Sequence, residues 1–177
     1  MTSKAELLKQ RFRHRWPSGV RRELIVLNIL NILLPRGFRA VFTGVGSGIA
    51  RYVNENYDNP LNAFDITVFN EQYEPMAFIE VTGVDRSQDM QKKKGLCIGS
   101  WKVFKAEKFN VQDMVWYVHV VTDRVSLRFI NYNMLKKHST FTKLEGLPGT
   151  YYCCNQSRWG SIKDFLRWLS TRRVGRK

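Results

Sequence analysis

Val20, Leu24, Leu27, Asn31 and Leu34 recur at spacings of three and four, which places them on one face of a helix that must lie against a core. Ser18 can cap that helix, and Pro35-Arg36-Gly37 ends it. The chain then changes period. Phe38 to Thr43 is short and β-favouring and leads into the glycine-rich turn Gly44 to Gly48. Phe64 to Phe69 and Met76 to Thr82 read as strands of a hairpin turned at Asn70 to Pro75. Leu96 to Ile98 precedes a helix opened by Ser100 and carrying Trp101 to Phe109. Val115 to Thr122 and Val125 to Asn131 are two more strands, joined at Asp123-Arg124. Ser161 opens a final helix, with Asp164 at capping-box spacing and Ile162, Phe165, Leu166 and Leu169 along one side. This succession predicts an α/β fold, a central mixed β-sheet flanked by helices.

With 177 residues the chain is long enough for one such domain and short for two. The longest apolar run, Leu24 to Leu34, is interrupted by Asn28 and Asn31 and falls short of the roughly 20 residues of a bilayer span. Met1 to Trp16 is basic and lacks the apolar segment and cleavage site of a secretory signal, so the expectation is a cytoplasmic, nucleoid-associated protein that is not secreted. Cys97, Cys153 and Cys154 are odd in number and lie outside any zinc spacing, which predicts free thiols in a reducing compartment.

The net charge of +14 is concentrated at the ends. Residues 1–22 hold seven Lys or Arg against one Glu, and residues 158–177 hold seven against one Asp. Basic ends on a nearly neutral body suit phosphate contacts, since each cation that neutralises a phosphate releases counterions. An anionic membrane is the rival, disfavoured because the last helix directs its apolar side to a protein core; a merely solubilising charge is the third reading.

Three acids need a reason for their positions. Glu23 lies on or beside the apolar face of the first helix, where an unpartnered carboxylate is costly; an edge position paired with Arg22 or Arg39 is the plainer account. Asp65 and Glu80 sit among Phe64, Ile66, Ile79 and Val81, in runs that disfavour acids. A salt bridge would explain them. So would a hard cation: Mg²⁺ takes one or two carboxylates, waters and a substrate phosphate, and the backbone carbonyl of Val81 could complete the protein's share.

The order of these features resembles the PD-(D/E)xK nuclease superfamily. Arg21-Arg22-Glu23-Leu24, Gly37-Phe38, Gly46-Ser47-Gly48, Asp65-Ile66 and Ile79-Glu80-Val81 are similar to segments of archaeal Holliday-junction resolvases, over about residues 18–131. The resemblance implies a restriction-endonuclease-like fold, a homodimer, and Mg²⁺-dependent (or Mn²⁺-dependent) cutting of branched DNA. It makes Glu23 the helix-one glutamate, Ser47 the loop serine, and Asp65 and Glu80 metal ligands. Two positions depart from the pattern: Phe64 stands where the family has proline, and Thr82 where it has lysine. A threonine hydroxyl carries no charge for the attacked phosphate. The following helix offers Lys102 as the replacement and Lys105 as the second candidate, unless both simply lie on a solvated face; without either, the fold would serve binding alone.

The expected organisation is therefore a basic arm over 1–17, a nuclease-like α/β core over 18–135, and an extension over 136–177 whose basic amphipathic helix packs on that core. Arg21, Arg22, Ser47, Lys93, Arg172 and Arg173 are the candidate contacts to duplex or branched DNA, with RNA as the alternative substrate. Gly44 to Gly48 lacks the GK[ST] of a phosphate-binding P-loop, and His14, His119 and His138 lack zinc-hydrolase spacing. His119 reads as a packed core residue. Tyr151, Tyr152, Trp159 and Trp168 either pack the C-terminal helix or stack on unpaired bases.

Overall fold

A computed structural model describes residues 16–45, 48, 58–85, 95–145, 147 and 149–174 of the chain. The basic arm up to Arg15, Ser47, Lys93 and the side chain of Arg173 lie outside the described residues.

Helix α1 spans Trp16–Leu33. The expected start is corrected: Ser18 lies inside the helix, and Pro17 occupies the first turn, where the missing N–H would have had no partner anyway. Val26 and Leu30 are fully buried, each such side chain contributing roughly 1.5–3 kcal/mol of burial. Asn31, the polar residue on the apolar stripe, is explained by its partners. Its amide donates to the Ala40 carbonyl at 3.0 Å and its side-chain oxygen accepts from the Ala40 N–H at 3.0 Å. Strand β1, Arg39–Phe42, is the sheet edge, so Asn31 satisfies backbone groups that an edge strand otherwise leaves open.

After the short helix α2, Pro60–Ala63, come β2, Ile66–Phe69, and β3, Pro75–Val84. Their turn is built by Asn70, whose side-chain oxygen accepts from the N–H groups of Gln72 (3.0 Å) and Glu74 (2.9 Å). β5, Val115–Val121, runs parallel to β3, and β6, Ser126–Asn131, antiparallel to β5. The main sheet therefore has the order β1-β2-β3-β5-β6 and is mixed, as expected. Gly83 cannot be replaced freely there: its φ is +151°, and an added Cβ would stand 2.0 Å from the Val120 carbonyl oxygen.

Alternation along β3 divides the core. Ala77, Ile79 and Val81 face α1 and the last helix, α5, Ile162–Val174. Phe78 faces the other way, toward α3, Ser100–Lys108, and α4, Tyr132–His138. Glu80 shares that parity. At the start of α5 the expected cap is present: Asp164 accepts from the Ser161 N–H at 2.7 Å and its hydroxyl at 2.9 Å. No helix of the described residues is long and apolar enough to cross a membrane.

The expected extension carries two strands whose pairing local pattern did not reveal. β7, Ser139–Lys143, and β8, Thr150–Cys154, join β4, Leu96–Gly99, in a second antiparallel sheet ordered β4-β8-β7. β8 pairs Cys153 directly with Cys97, and the two form a disulfide across 56 residues. The free-thiol expectation is thus corrected for both cysteines, and with it goes the inference of a reducing compartment. Cys154 alone keeps its thiol and is buried. His119 is buried as expected, edge-on to Trp159 at 6.0 Å.

Candidate active site

The site forms where the β-hairpin opens. Ladder pairing between β2 and β3 ends at Ile66 opposite Ile79, so the polar backbone groups of Val81 on that side meet no strand. Side chains meet them instead. Asp65 accepts from the Val81 N–H at 2.7 Å, and the Lys102 ammonium donates to the Val81 carbonyl at 2.8 Å. The carboxylate that was anomalous in a β-run thus stands at the fork of two strands.

Glu80 is 1% exposed and directed at α3. Such a carboxylate persists only with partners, and α3 provides two. The Lys102 ammonium lies 2.5 Å from Glu80 Oε1 and 3.9 Å from Asp65 Oδ2. The Lys105 ammonium lies 3.3 Å from Glu80 Oε2 and donates to the Ala63 carbonyl at 2.7 Å. The helix makes this possible because positions three apart share a face, so both lysine stems run the same way while Val103 and Ala106 pack into the core. Both residues named for the absent motif lysine therefore reach the acids, whereas Thr82, next along the strand, brings no charge.

The electrostatics follow from burial. Glu80's carboxyl is raised by desolvation and then by Asp65, opposed by Lys102 and Lys105. Desolvation works against charge on Lys102, but Glu80 and Asp65 more than offset it, so its ammonium is held above the usual lysine range. Asp65 and Glu80 thus face the two ammoniums of Lys102 and Lys105. Beside them, the buried Tyr117 hydroxyl is pushed far up by burial and Glu80 and stays protonated.

Glu23 belongs to the same constellation, not to an edge pair with Arg22 or Arg39. It accepts from the Gly48 N–H at 2.7 Å, which ties Gly48 to α1. Burial, then Asp65, raises its pKa to about 7 against the pull of the Gly48 N–H and Lys102.

Lys102 itself shows whether a hard cation fits. One ammonium contacts an oxygen of Asp65, an oxygen of Glu80 and the Val81 carbonyl, so three hard donors already surround one positive centre. Among the described residues no group of three or more Asp, Glu, His or Cys side chains gathers as a metal site, so these two acids and one carbonyl are the donor set available.

The candidate nucleic-acid contacts are not brought together. Arg21 is exposed on α1. Arg22 is anchored to Asp85 at 2.8 Å. Arg172 lies over the Trp168 ring at 4.6 Å and donates to the Asp113 carbonyl at 2.6 Å, holding α5 to the loop before β5. Two contributors went unnoticed in the sequence, the Gly48 N–H and the Ala63 carbonyl, because backbone groups leave no residue-type signal.

A nuclease from a fusselovirus matches with a TM-score of 0.59 and 18% identity, over 100% of this chain and 99% of its own, which shows the fold. A Holliday junction resolvase from Archaeoglobus fulgidus matches with a TM-score of 0.47 and 17% identity, over 84% of this chain and 99% of its own. No curated protein matches. The profile of the viral and archaeal nucleases matches residues 27–159, three quarters of the chain, and spans Asp65, Glu80, Lys102 and Lys105. The chain belongs to the viral/archaeal nuclease family.

Proposed function

We propose that this nuclease is a metal-dependent endonuclease acting on DNA, structure-specific in the manner of a Holliday-junction resolvase. The observation that carries the reading is the convergence of Asp65, Glu80 and the Val81 carbonyl on one positive centre. Mg²⁺ or Mn²⁺ held by those donors would supply Lewis acidity toward a phosphodiester. The chain's own residues do the rest. Lys102 and Lys105 place positive charge beside the acids, compensating for Thr82 when phosphate charge builds up. Glu23, with a pKa of about 7, is part ionised at neutral pH and can take up or return a proton. Arg21, Ser47, Lys93 and Arg173 are assigned to backbone phosphates, and the active form is a homodimer inside the cell. RNA offers the same chemistry and is the alternative substrate.

A second reading, a nuclease fold that binds without cutting, is favoured by one observation: Thr82 is uncharged. Cleavage of four-way junctions, flaps and plain duplex with Mg²⁺ or Mn²⁺ separates the two. Asp65→Ala and Glu80→Ala should each lower cutting by about 100-fold or more, and Lys102→Ala should also lower it. Unchanged cutting by Asp65→Ala eliminates the first reading. Salt-dependent binding that survives all three substitutions, with no cutting by the wild type, establishes the second.

A further inference from the structure

Helix α3 has a third face, and neither the site nor the core uses it. Lys102 and Lys105 point at Glu80, and Val103 and Ala106 are fully buried, yet Trp101 is 46% exposed and Phe104 is 45% exposed. At 100° per residue, Lys105 lies roughly 40° around the helix from Trp101, and Phe104 roughly 60° to the other side. The exposed aromatics thus form a ridge directly beside the site lysines.

The ridge continues onto the second sheet. Trp101 meets Tyr151 edge to face at 5.7 Å, Phe104 meets Tyr152 edge to face at 6.4 Å, and Tyr152 leads to Phe141 at 4.9 Å. Phe141, on edge strand β7, is 53% exposed. Glycines on either side keep the ground beside Trp101 low: an added Cβ at Gly99 would run into the indole, and one at Gly149 would touch it at 3.6 Å. Edge-to-face contacts brace Trp101 and Phe104 and a tilted contact braces Phe141, while all three side chains stay exposed to a flat partner.

Charge identifies that partner. Residues 126–143 contain Arg128, Lys136, Lys137 and Lys143 and no acid. Lys143 is exposed on the same side of β7 as Phe141 and Lys137 is exposed on α4, whereas the Lys136 ammonium, 4.7 Å from the Tyr152 ring centre, is already paired with Glu107 at 3.0 Å. A second copy of this chain docked by two-fold symmetry would set these cations against themselves. A nucleic-acid strand would meet them with phosphates and would offer the rings its bases, provided that those bases are unpaired.

We propose that Trp101, Phe104 and Phe141 form a stacking surface for unpaired bases of the strand whose backbone reaches Asp65 and Glu80. The inference rests on the nuclease reading and narrows its substrate to DNA that carries a single-stranded stretch beside the cut, such as a fork, a flap or an opened branch. Each stacked base adds sequence-independent affinity, so the surface selects strand state and ignores sequence.

The test is anisotropy of labelled oligonucleotides with the full chain in EDTA, where no cutting occurs, using a dT 20-mer, a fork with single-stranded arms and a fully paired duplex. Trp101→Ala and Phe141→Ala should each weaken single-strand and fork binding by about tenfold and duplex binding by less than about twofold. Trp101→Tyr, which keeps a stacking ring, should recover most of the loss, and thermal melts verify that each variant is folded. Equal losses on duplex and single strand, or no loss on either, overturn the proposal. So does a dimer in sedimentation that Phe141→Ala dissociates while DNA affinity stays unchanged, since the surface would then be a subunit contact. Ring-dependent binding without cutting by the wild type sinks the nuclease reading alone. Cutting that Asp65→Ala abolishes, with binding indifferent to the rings, sinks this inference alone.

Discussion

Replacing Lys102 by methionine keeps the stem and removes the ammonium, and the structure sets the size of the consequence. Glu80 loses its contact at 2.5 Å, the Val81 carbonyl loses a donor at 2.8 Å, and Asp65 loses a cation at 3.9 Å. Breaking a buried ion pair costs about 3–5 kcal/mol when the remaining charge is stranded. Glu80 is not stranded, because Lys105 remains 3.3 Å from its other oxygen. The expected destabilisation is therefore roughly 1–3 kcal/mol, below the full figure. It should also depend on pH. Burial and Asp65 already raise the Glu80 carboxyl, and without Lys102 it rises further, so the variant can relieve the excess negative charge by taking up a proton. A carboxyl whose folded pKa is raised lends most stability below its unfolded value near 4.5, and that contribution fades as pH climbs toward the folded value. The gap between wild type and Lys102→Met should thus be largest near pH 8 and shrink toward pH 5. Urea unfolding in EDTA at the two pH values measures it. If the ammonium occupies a cation site, Mg²⁺ should also stabilise the variant, by about 2.7 kcal/mol at a hundredfold excess over its Kd, and should stabilise the wild type by less because the ion must first displace the ammonium. A difference below about 0.5 kcal/mol that ignores pH would refute the idea that Lys102 holds Glu80.

Glu23 has the same sign of linkage. Its pKa rises from 4.5 to about 7 on folding, so wild-type stability should decline as pH increases across that window, and Glu23→Gln should flatten the decline in urea melts at pH 5 and 7.5. Cys97→Ser opens the 56-residue loop closed by Cys153 and should cost on the order of 4 kcal/mol by loop-closure entropy, visible as a lowered Tm. Dithiothreitol should lower the wild-type Tm similarly and leave Cys97→Ser unmoved; a reductant-insensitive wild type would mean that the thiols are not joined.

What could be read without coordinates was whatever leaves a local trace. The three-and-four spacing of Leu24, Leu27 and Leu34 reveals that α1 is a helix but misplaces its buried face, since Val26 and Leu30 are the fully buried residues and Leu24 is 42% exposed; alternation in Met76 to Thr82, after the β-branched run Ile66 to Phe69, reveals the hairpin. Asp65 and Glu80 stood out because acids are out of place in such runs, and the structure gives each a partner. Long-range pairing left no such trace. Ser139 to Lys143 is polar enough to pass for a loop, and nothing in Thr150 to Cys154 announces that its partner is Leu96 to Gly99. The disulfide was missed for the same reason, since strand register alone brings Cys97 to Cys153. Lys102 and Lys105 were identifiable as candidates on a helix; that both arrive together depends on how α3 sits over the sheet. Arg172 shows the converse. A terminal arginine looked available for phosphate, and Trp168 with the Asp113 carbonyl engages it.

Whether Asp65, Glu80 and the Val81 carbonyl make a cation site which Lys102 fills from within can be read from anomalous scattering by a crystal grown with Mn²⁺. A manganese peak bounded by those three oxygens is expected, with the Lys102 ammonium moved off Glu80 and Lys105 still beside it. A crystal in which Lys102 keeps its contacts and manganese is absent from the fork, at concentrations that saturate ordinary protein sites, would contradict it.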